Sequence, residues 1–152
     1  PLDLDRIIDR ARAYDPRTVS DLLLAQRIAC GLGNVYRNEL LFLAGLPPTT
    51  PTADVSDEAI RRLYARGGEL LRANLGGWRR TTTRRVTPEE PLRRGEPRSF
   101  VYGRKELPCL WCQRSIRASR VGDRARATYW CPSCQAHPPL PQVRAEGKWL
   151  GQ

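Results

Sequence analysis

Cys109-Leu110-Trp111-Cys112 is followed eighteen residues later by Cys131-Pro132-Ser133-Cys134, and this pairing constrains the chain more than any other feature. Each Cys-x-x-Cys knuckle turns its two sulfurs toward a common point, and the intervening residues can form a hairpin, so four thiolates can meet one tetrahedral ion. The spacing therefore reads as one structural zinc ion, Zn2+, held by Cys109, Cys112, Cys131 and Cys134. Two disulfides are the alternative, but neighbouring thiols in a knuckle seldom bridge well and nothing marks the chain as secreted. A redox pair would need a thioredoxin-like strand and helix around it, which is absent. Four sulfurs leave no open position for an activated water, so the ion is expected to hold the fold. His137, the only histidine, reads as a solvated tail residue.

The ion answers a problem of size. A chain of 152 residues can hold one ordinary domain, or a helical domain with a small metal-stapled appendage. A piece of roughly 35 residues falls below the ~40 at which cores usually need a staple. No apolar run approaches the ~20 residues of a membrane span, and no signal peptide opens the chain. The expected location is cytoplasmic, nucleoid-associated in a bacterium, with no membrane partner. The net charge of +10 is unevenly spread: residues 1–76 carry ten basic and ten acidic side chains, whereas residues 77–135 carry fourteen basic against five acidic. That excess points to a polyanion, and to nucleic acid before membrane because no amphipathic basic helix accompanies it.

Apolar residues at Leu4, Ile7, Ile8 and Ala11 predict a helix from Asp3 to Tyr14, ended by Asp15-Pro16. Thr18 or Ser20 opens a second helix through Leu22, Leu23, Leu24, Ala25, Ile28 and Ala29, broken by Gly31 and Gly33. A third runs from Asn34 to Gly45, a stop signal. After the extended connector Leu46 to Pro51, Ser56 opens a fourth, reaching about Leu75. Residues 77–98 are rich in Arg, Thr and Pro without a period, and read as a loop that is mobile without its partner. Phe100 to Tyr102, Ile116 to Val121 and Ala125 to Trp130 are candidate strands, with Gly122-Asp123 as a turn. The expected fold is mainly α, a four-helix domain (1–76), then the loop (77–98), a β-hairpin zinc finger (99–135) and a disordered tail (136–152). Cys30 is expected to be buried filler.

The second candidate site is Gly31-Leu32-Gly33-Asn34-Val35-Tyr36-Arg37-Asn38-Glu39. Glycines let the backbone approach a ligand closely, and the following helix presents free N–H groups and a positive dipole end. Asn34 adds a carboxamide donor beside them. Taken alone, such a corner is more often an ordinary helix–helix turn. Four blocks in order carry more information: Gly-x-Gly-Asn-x-Tyr-x-x-Glu, Gly-Leu-Pro-Pro, Val101-Tyr102-Gly103-Arg104, and Thr128-Tyr129-Trp130-Cys131-Pro132-Ser133-Cys134-Gln135. Together they resemble the C-terminal half of the formamidopyrimidine-DNA glycosylase and endonuclease VIII family. The finger's ending looks more like endonuclease VIII, and Val-Tyr-Gly-Arg more like the other branch.

The resemblance implies a helix-two-turn-helix domain and a zinc finger that grip the backbone of double-stranded DNA around a damaged base or abasic site. It assigns DNA binding to Gly31, Gly33 and Asn34, to Arg104, and to Arg126 from the hairpin; an amide and a guanidinium are donors suited to phosphate oxygens. Tyr36 is expected to pack in the core, and Glu39 to be a helix-surface or packing carboxylate, not a catalytic one. Residues 77–98 lie where the formamidopyrimidine branch caps an extruded base. The family's chemistry uses an N-terminal proline followed by glutamate; here Pro1 is followed by Leu2 and a helix. The expectation is therefore a C-terminal fragment without a catalytic residue, whose partner is the N-terminal catalytic domain of its parent, a glycosylase and abasic-site lyase acting on oxidised bases, pyrimidines first. A non-enzymatic zinc-ribbon adaptor is the alternative, and it leaves the Gly-x-Gly-Asn corner unexplained.

Overall fold

The structure, a computed structural model, describes residues 2–76, 79–84, 86–121 and 126–136. Helix α1 (Leu4–Tyr14) begins where Asp3 accepts the N–H of Arg6 at 3.0 Å, and buries Ile7, Ile8 and Ala11. Those spacings put one apolar stripe on one face, which packs on α4 (Asp57–Ala73). Arg12 fastens the end of α1 to the start of α4, donating to Asp57 at 2.9 Å and to the Val55 carbonyl at 2.8 Å. Ser56 caps α4 by accepting the N–H of Ala59 at 3.2 Å.

Helix α2 (Val19–Leu24) opens on a capping box, Thr18 and Asp21 each satisfying the other's backbone N–H. It is shorter than the apolar pattern predicts. Ala25 is extended, and the side chain of Gln26 donates to the Leu32 carbonyl at 2.8 Å while its oxygen accepts the N–H of Gly31 at 3.3 Å. One polar side chain thus ties off a loop where the apolar count favoured more helix. Cys30 in that loop is exposed instead of buried, its Sγ turned to the Gln26 carbonyl at 3.4 Å.

Helix α3 (Asn34–Ala44) is the axis of the molecule, touching α2, α4 and the second strand of the hairpin. Every residue from Tyr36 to Ala44 is buried, and Gly45 ends the helix with φ 69°. The connector from Leu46 runs back along the start of α2, where Val19 donates to the Thr50 carbonyl at 3.0 Å, and passes through a short 3-10 turn, Thr52–Asp54, into α4. Gly67 of α4 permits a close approach: a Cβ there would stand 2.9 Å from Cδ2 of Leu32. Among the described residues no helix is long and apolar enough to cross a membrane.

The hairpin pairs β1 (Arg117–Val121) with β2 (Arg126–Trp130) antiparallel, Arg117 opposite Trp130 and Val121 opposite Arg126. The expected Gly122-Asp123 turn lies outside the described residues, as do His137 and the rest of the tail. Phe100 to Tyr102 is not a strand; its N–H groups have a different partner, given below. The buried apolar residues form one cluster from α1 to Cys134. Its bridge is aromatic: the Phe42 ring lies 5.2 Å from Phe100 and 4.4 Å from Trp111, centroid to centroid. Phe42 is fully buried, so Phe42→Ala should lower unfolding free energy by about 3–5 kcal/mol. A chemical-denaturation midpoint read at both helix and tryptophan signals would check this, with both transitions shifting together.

Candidate metal centre and nucleic-acid interface

The sulfurs of Cys109, Cys112, Cys131 and Cys134 lie within 4.8 Å of one another, three of the four residues being buried. A tetrahedral ion with metal–sulfur bonds of ~2.3 Å sets its sulfurs ~3.8 Å apart. Here Cys109 and Cys134 are 3.8 Å apart and Cys112 and Cys131 3.4 Å. Backbone N–H groups of Trp111 and Cys134 point at the Sγ atoms of Cys109 and Cys131, at 3.4 and 3.3 Å, which suits anionic sulfur. Burial pushes the thiols of Cys131 and Cys134 up, so an incoming ion must displace protons there. Burial also pushes on Cys112, but the Arg114 N–H and the neighbouring sulfurs outweigh it and hold this thiol down at about 7. Four thiolates facing inward fit a metal ion held for structure. Gln135 fixes the second knuckle to the helices, accepting the N–H of Cys131 and donating to the Leu46 carbonyl, both at 2.9 Å.

Glu39 is fully buried rather than on the helix surface. Its carboxylate accepts the N–H groups of Phe100 at 2.7 Å, Val101 at 2.9 Å and Tyr102 at 3.0 Å, and the hydroxyl of Thr82. Three consecutive amides converging on one side chain cannot also make a ladder, which is why this stretch is not a strand. The same contacts tether the segment expected to be mobile. Thr82 donates its N–H to the Arg98 carbonyl at 2.8 Å, and Asn74 grips Thr81 by both its N–H and its carbonyl, each at 2.9 Å. Further along, Arg84 and Glu96 pair at 2.6 Å, and the hydrogen bond from Arg84 is the main reason the Glu96 carboxyl falls to about 2. Glu39, with every oxygen committed to protein donors, has no part free for proton transfer.

The next residues along α3 face β2. Asn34 donates to the Ala127 carbonyl at 3.0 Å, and Asn38 accepts the N–H of Tyr129 at 2.8 Å. Arg37, 2% exposed, donates to Ser20 Oγ at 2.7 Å, Asn34 Oδ1 at 2.5 Å, and the Ala127 carbonyl and Thr128 Oγ1 at 3.0 Å each. Burial first, then the nearby charge of Arg126, lowers the Arg37 guanidinium to about 10, opposed by Asp21 and Tyr102. Arg126 therefore sits close to Arg37, one residue from the carbonyl that Asn34 grips; its backbone carbonyl accepts from Thr128 Oγ1 at 3.2 Å, and among the described residues its guanidinium has no hydrogen bond or ion pair.

Of the candidate DNA-binding residues, the structure brings Asn34 and Arg126 together with Gly31 and Gly33 alongside. Gly31 has φ 103° and needs to be glycine. Gly33 is extended, and a Cβ there would meet nothing within 4 Å, so open space faces it. As N-cap it offers no side chain, leaving the first N–H groups of α3 uncapped. Arg104 is elsewhere in its bonding, clasping the carbonyls of Phe100 at 2.8 Å and Pro108 at 3.0 Å. Tyr36 is buried as expected, with the Arg80 guanidinium 5.1 Å from its ring centre. Arg37, Asn38, Thr128 and Gln135 stand inside the quoted motifs, but the sequence alone assigned them no role. For Arg37 and Asn38 the one visible signal is that Leu40, Leu41, Phe42 and Leu43 run consecutively, which leaves that part of α3 no water-facing side.

Removing the metal with a strong chelator should abolish hydrogen-exchange protection in β1 and β2 and the tryptophan near-UV signal, while most helical circular dichroism persists. Full protection in chelator would contradict a metal-dependent finger. Glu39→Gln replaces an acceptor by a donor facing backbone N–H groups, and charge-assisted bonds are worth about 1.5–3 kcal/mol each. Its thermal midpoint should fall by several degrees; an unchanged midpoint would show the carboxylate to be dispensable.

The family model described as "Formamidopyrimidine-DNA glycosylase H2TH domain" matches residues 3–85. The chain is 43% identical over 138 residues to the probable endonuclease 8 2 of Streptomyces coelicolor, covering 90% of the chain and 47% of that relative. It is 38% identical over 125 residues to a formamidopyrimidine-DNA glycosylase of Thermus thermophilus, covering 81% and 46%. The crystal structure of Lactococcus lactis Fpg with abasic-site DNA superposes with a TM-score of 0.66 at 27% identity, covering 88% of the chain and 47% of Fpg. The chain spans about half the length of the curated relatives it matches. A hairpin with four clustered cysteines, zipped to the helix that follows a Gly-x-Gly-Asn turn, in a sequence this similar, makes the chain a member of the formamidopyrimidine-DNA glycosylase and endonuclease VIII family of DNA-repair proteins.

Proposed function

We infer that this chain is the DNA-gripping part of a base-excision-repair glycosylase and abasic-site lyase, acting on oxidised bases with pyrimidines preferred. One observation carries the reading: the hydrogen bond from Asn34 to Ala127 sets the uncapped start of α3 beside Arg126. Helix N–H groups, a carboxamide and a guanidinium then offer donors to one stretch of sugar-phosphate backbone. The helices either side of the Gly31–Asn34 corner supply the helix-two-turn-helix element in residues 1–76, and residues 99–135 supply the finger. The ion is zinc, since four soft thiolates with no open position suit that metal in a structural role. Arg104 adds positive charge from the base of the finger.

The partner is double-stranded DNA carrying a damaged base or an abasic site, together with the N-terminal catalytic domain of the same parent protein. Chemistry belongs to that domain. In this chain the fully buried carboxylate is committed to backbone amides, and the four clustered thiols are metal ligands. The adaptor alternative gains no observation of its own from the fold.

Fluorescence anisotropy with a duplex containing an abasic analogue tests the reading. Arg126→Ala should weaken binding about tenfold or more and make the log–log salt dependence shallower by about 0.9. Asn34→Ala should weaken it comparably with the salt slope unchanged, because a carboxamide releases no counterion. Both variants binding like the parent would remove the phosphate assignments. Borohydride trapping on abasic DNA should yield no covalent adduct; an adduct would move catalysis into this chain.

A further inference from the structure

Among the described residues, Arg37 is a buried cation with no carboxylate hydrogen-bonded to it. Its two terminal nitrogens bond only neutral acceptors: Ser20 Oγ, Asn34 Oδ1, the Ala127 carbonyl and Thr128 Oγ1. Its Nε, also buried, has no partner among the described residues. Asp21 attracts it through space but is hydrogen-bonded to Thr18. Buried ions are ordinarily paired, because taking a charge out of water is costly. A guanidinium kept here must therefore be explained by what it does to its neighbours.

Its effect on Asn34 follows from valence alone. The two ends of a carboxamide differ chemically but hardly in shape, so hydrogen bonds decide which way the group turns. Arg37 has donors and no acceptor, so only Oδ1 can face it, and the 2.5 Å bond fixes that choice. The NH2 end is then forced toward β2, where one hydrogen meets the Ala127 carbonyl at 3.0 Å. The second hydrogen remains for an acceptor beyond the protein. Without Arg37 only the Ala127 carbonyl would orient the carboxamide, and a turned-over group would offer a phosphate its oxygen, a repulsive orientation. The same guanidinium bridges Ser20 of α2 to Thr128 of β2 across α3, so it also holds the two gripping elements in one register.

We propose that Arg37 is the positioning residue of the phosphate site, locking the Asn34 carboxamide with its NH2 group toward the DNA backbone and joining the helical and metal-bound elements into one grip. The proposal rests on the functional reading above. A second contribution is long-range: the unpaired charge of Arg37 adds to that of Arg126, and an approaching phosphate relieves both.

A double-substitution cycle on the 152-residue chain tests it, with binding to an abasic-analogue duplex read by anisotropy. Arg37→Met should weaken binding at least tenfold in the parent and less than threefold in an Asn34→Ala background, while Arg37→Lys, which keeps a donor, should retain more affinity than Arg37→Met. Metal content and thermal melts accompany each variant. Equal losses in both backgrounds would reduce Arg37 to a structural prop and overturn the proposal, as would an Arg37→Met protein that binds like the parent. If Arg37→Met does not fold, the unsubstituted chain still decides: the Asn34 side-chain 15N resonance should shift when the duplex is added. A resonance that stays put while DNA binds would overturn the role of Arg37 and Asn34 alone. Failure of the parent to bind duplex DNA at all would instead overturn the functional reading, and this proposal with it.

Discussion

The architecture depends on a carboxylate shut away from water and, among the described residues, paired with no cation. Glu39 meets its anionic demand with the N–H groups of Phe100, Val101 and Tyr102 and the hydroxyl of Thr82. Dipoles can stabilise a buried charge when several converge on it, and convergence has a geometric consequence. The chain between the helices and the finger must arrive at α3 in one conformation, or the charge is left bare. A single side chain therefore fixes where the finger starts and where the Thr-rich segment docks.

Beside that anion lies the buried cation Arg37, one helical half-turn away, facing a different neighbour. The two do not pair. Each is solvated by neutral groups from a separate stretch of chain, Glu39 by residues 82 and 100–102 and Arg37 by Ser20, Asn34 and residues 127 and 128. An ion pair between them would have satisfied both charges locally and left the finger unattached. Kept apart, they act as two separate clamps on the four-cysteine unit, and the Phe42, Phe100 and Trp111 rings pack on one another as a third attachment.

Much of the skeleton was legible because its signals are local. Asp3, Thr18 and Ser56 are caps where their chemistry places them, and Gly45 ends α3. The four cysteines specified their own meeting point. What escaped depends on residues far apart in sequence. Gln26 closes its loop against Leu32 and Gly31, so α2 stops at Leu24 despite apolar residues beyond it. Phe100 to Tyr102 looks like a strand until a carboxylate sixty residues upstream claims its amides. Glu39 read equally as a helix-surface or a packing carboxylate, Arg37 and Asn38 carried no reading, and only the burial of every residue from Tyr36 to Ala44 decides between them. Asn34 and Arg126 were recognisable as donors, but the bond that sets them side by side runs through a neighbour, Ala127, with nothing distinctive in its sequence.

Gly67 shows how distant structure reaches the corner at Gly31. Alanine within a helix is ordinarily the better residue, by roughly 1 kcal/mol over glycine. At this position the added methyl would press on Leu32, whose side chain sits 2.9 Å from where it would stand. Leu32 lies between Gly31 and Gly33, so the strain would be delivered to the turn that leads into Asn34. Exchanging this glycine for a better helix former would set helix propensity against the packing of that turn, and α4 emerges as the floor on which the position of the turn is set.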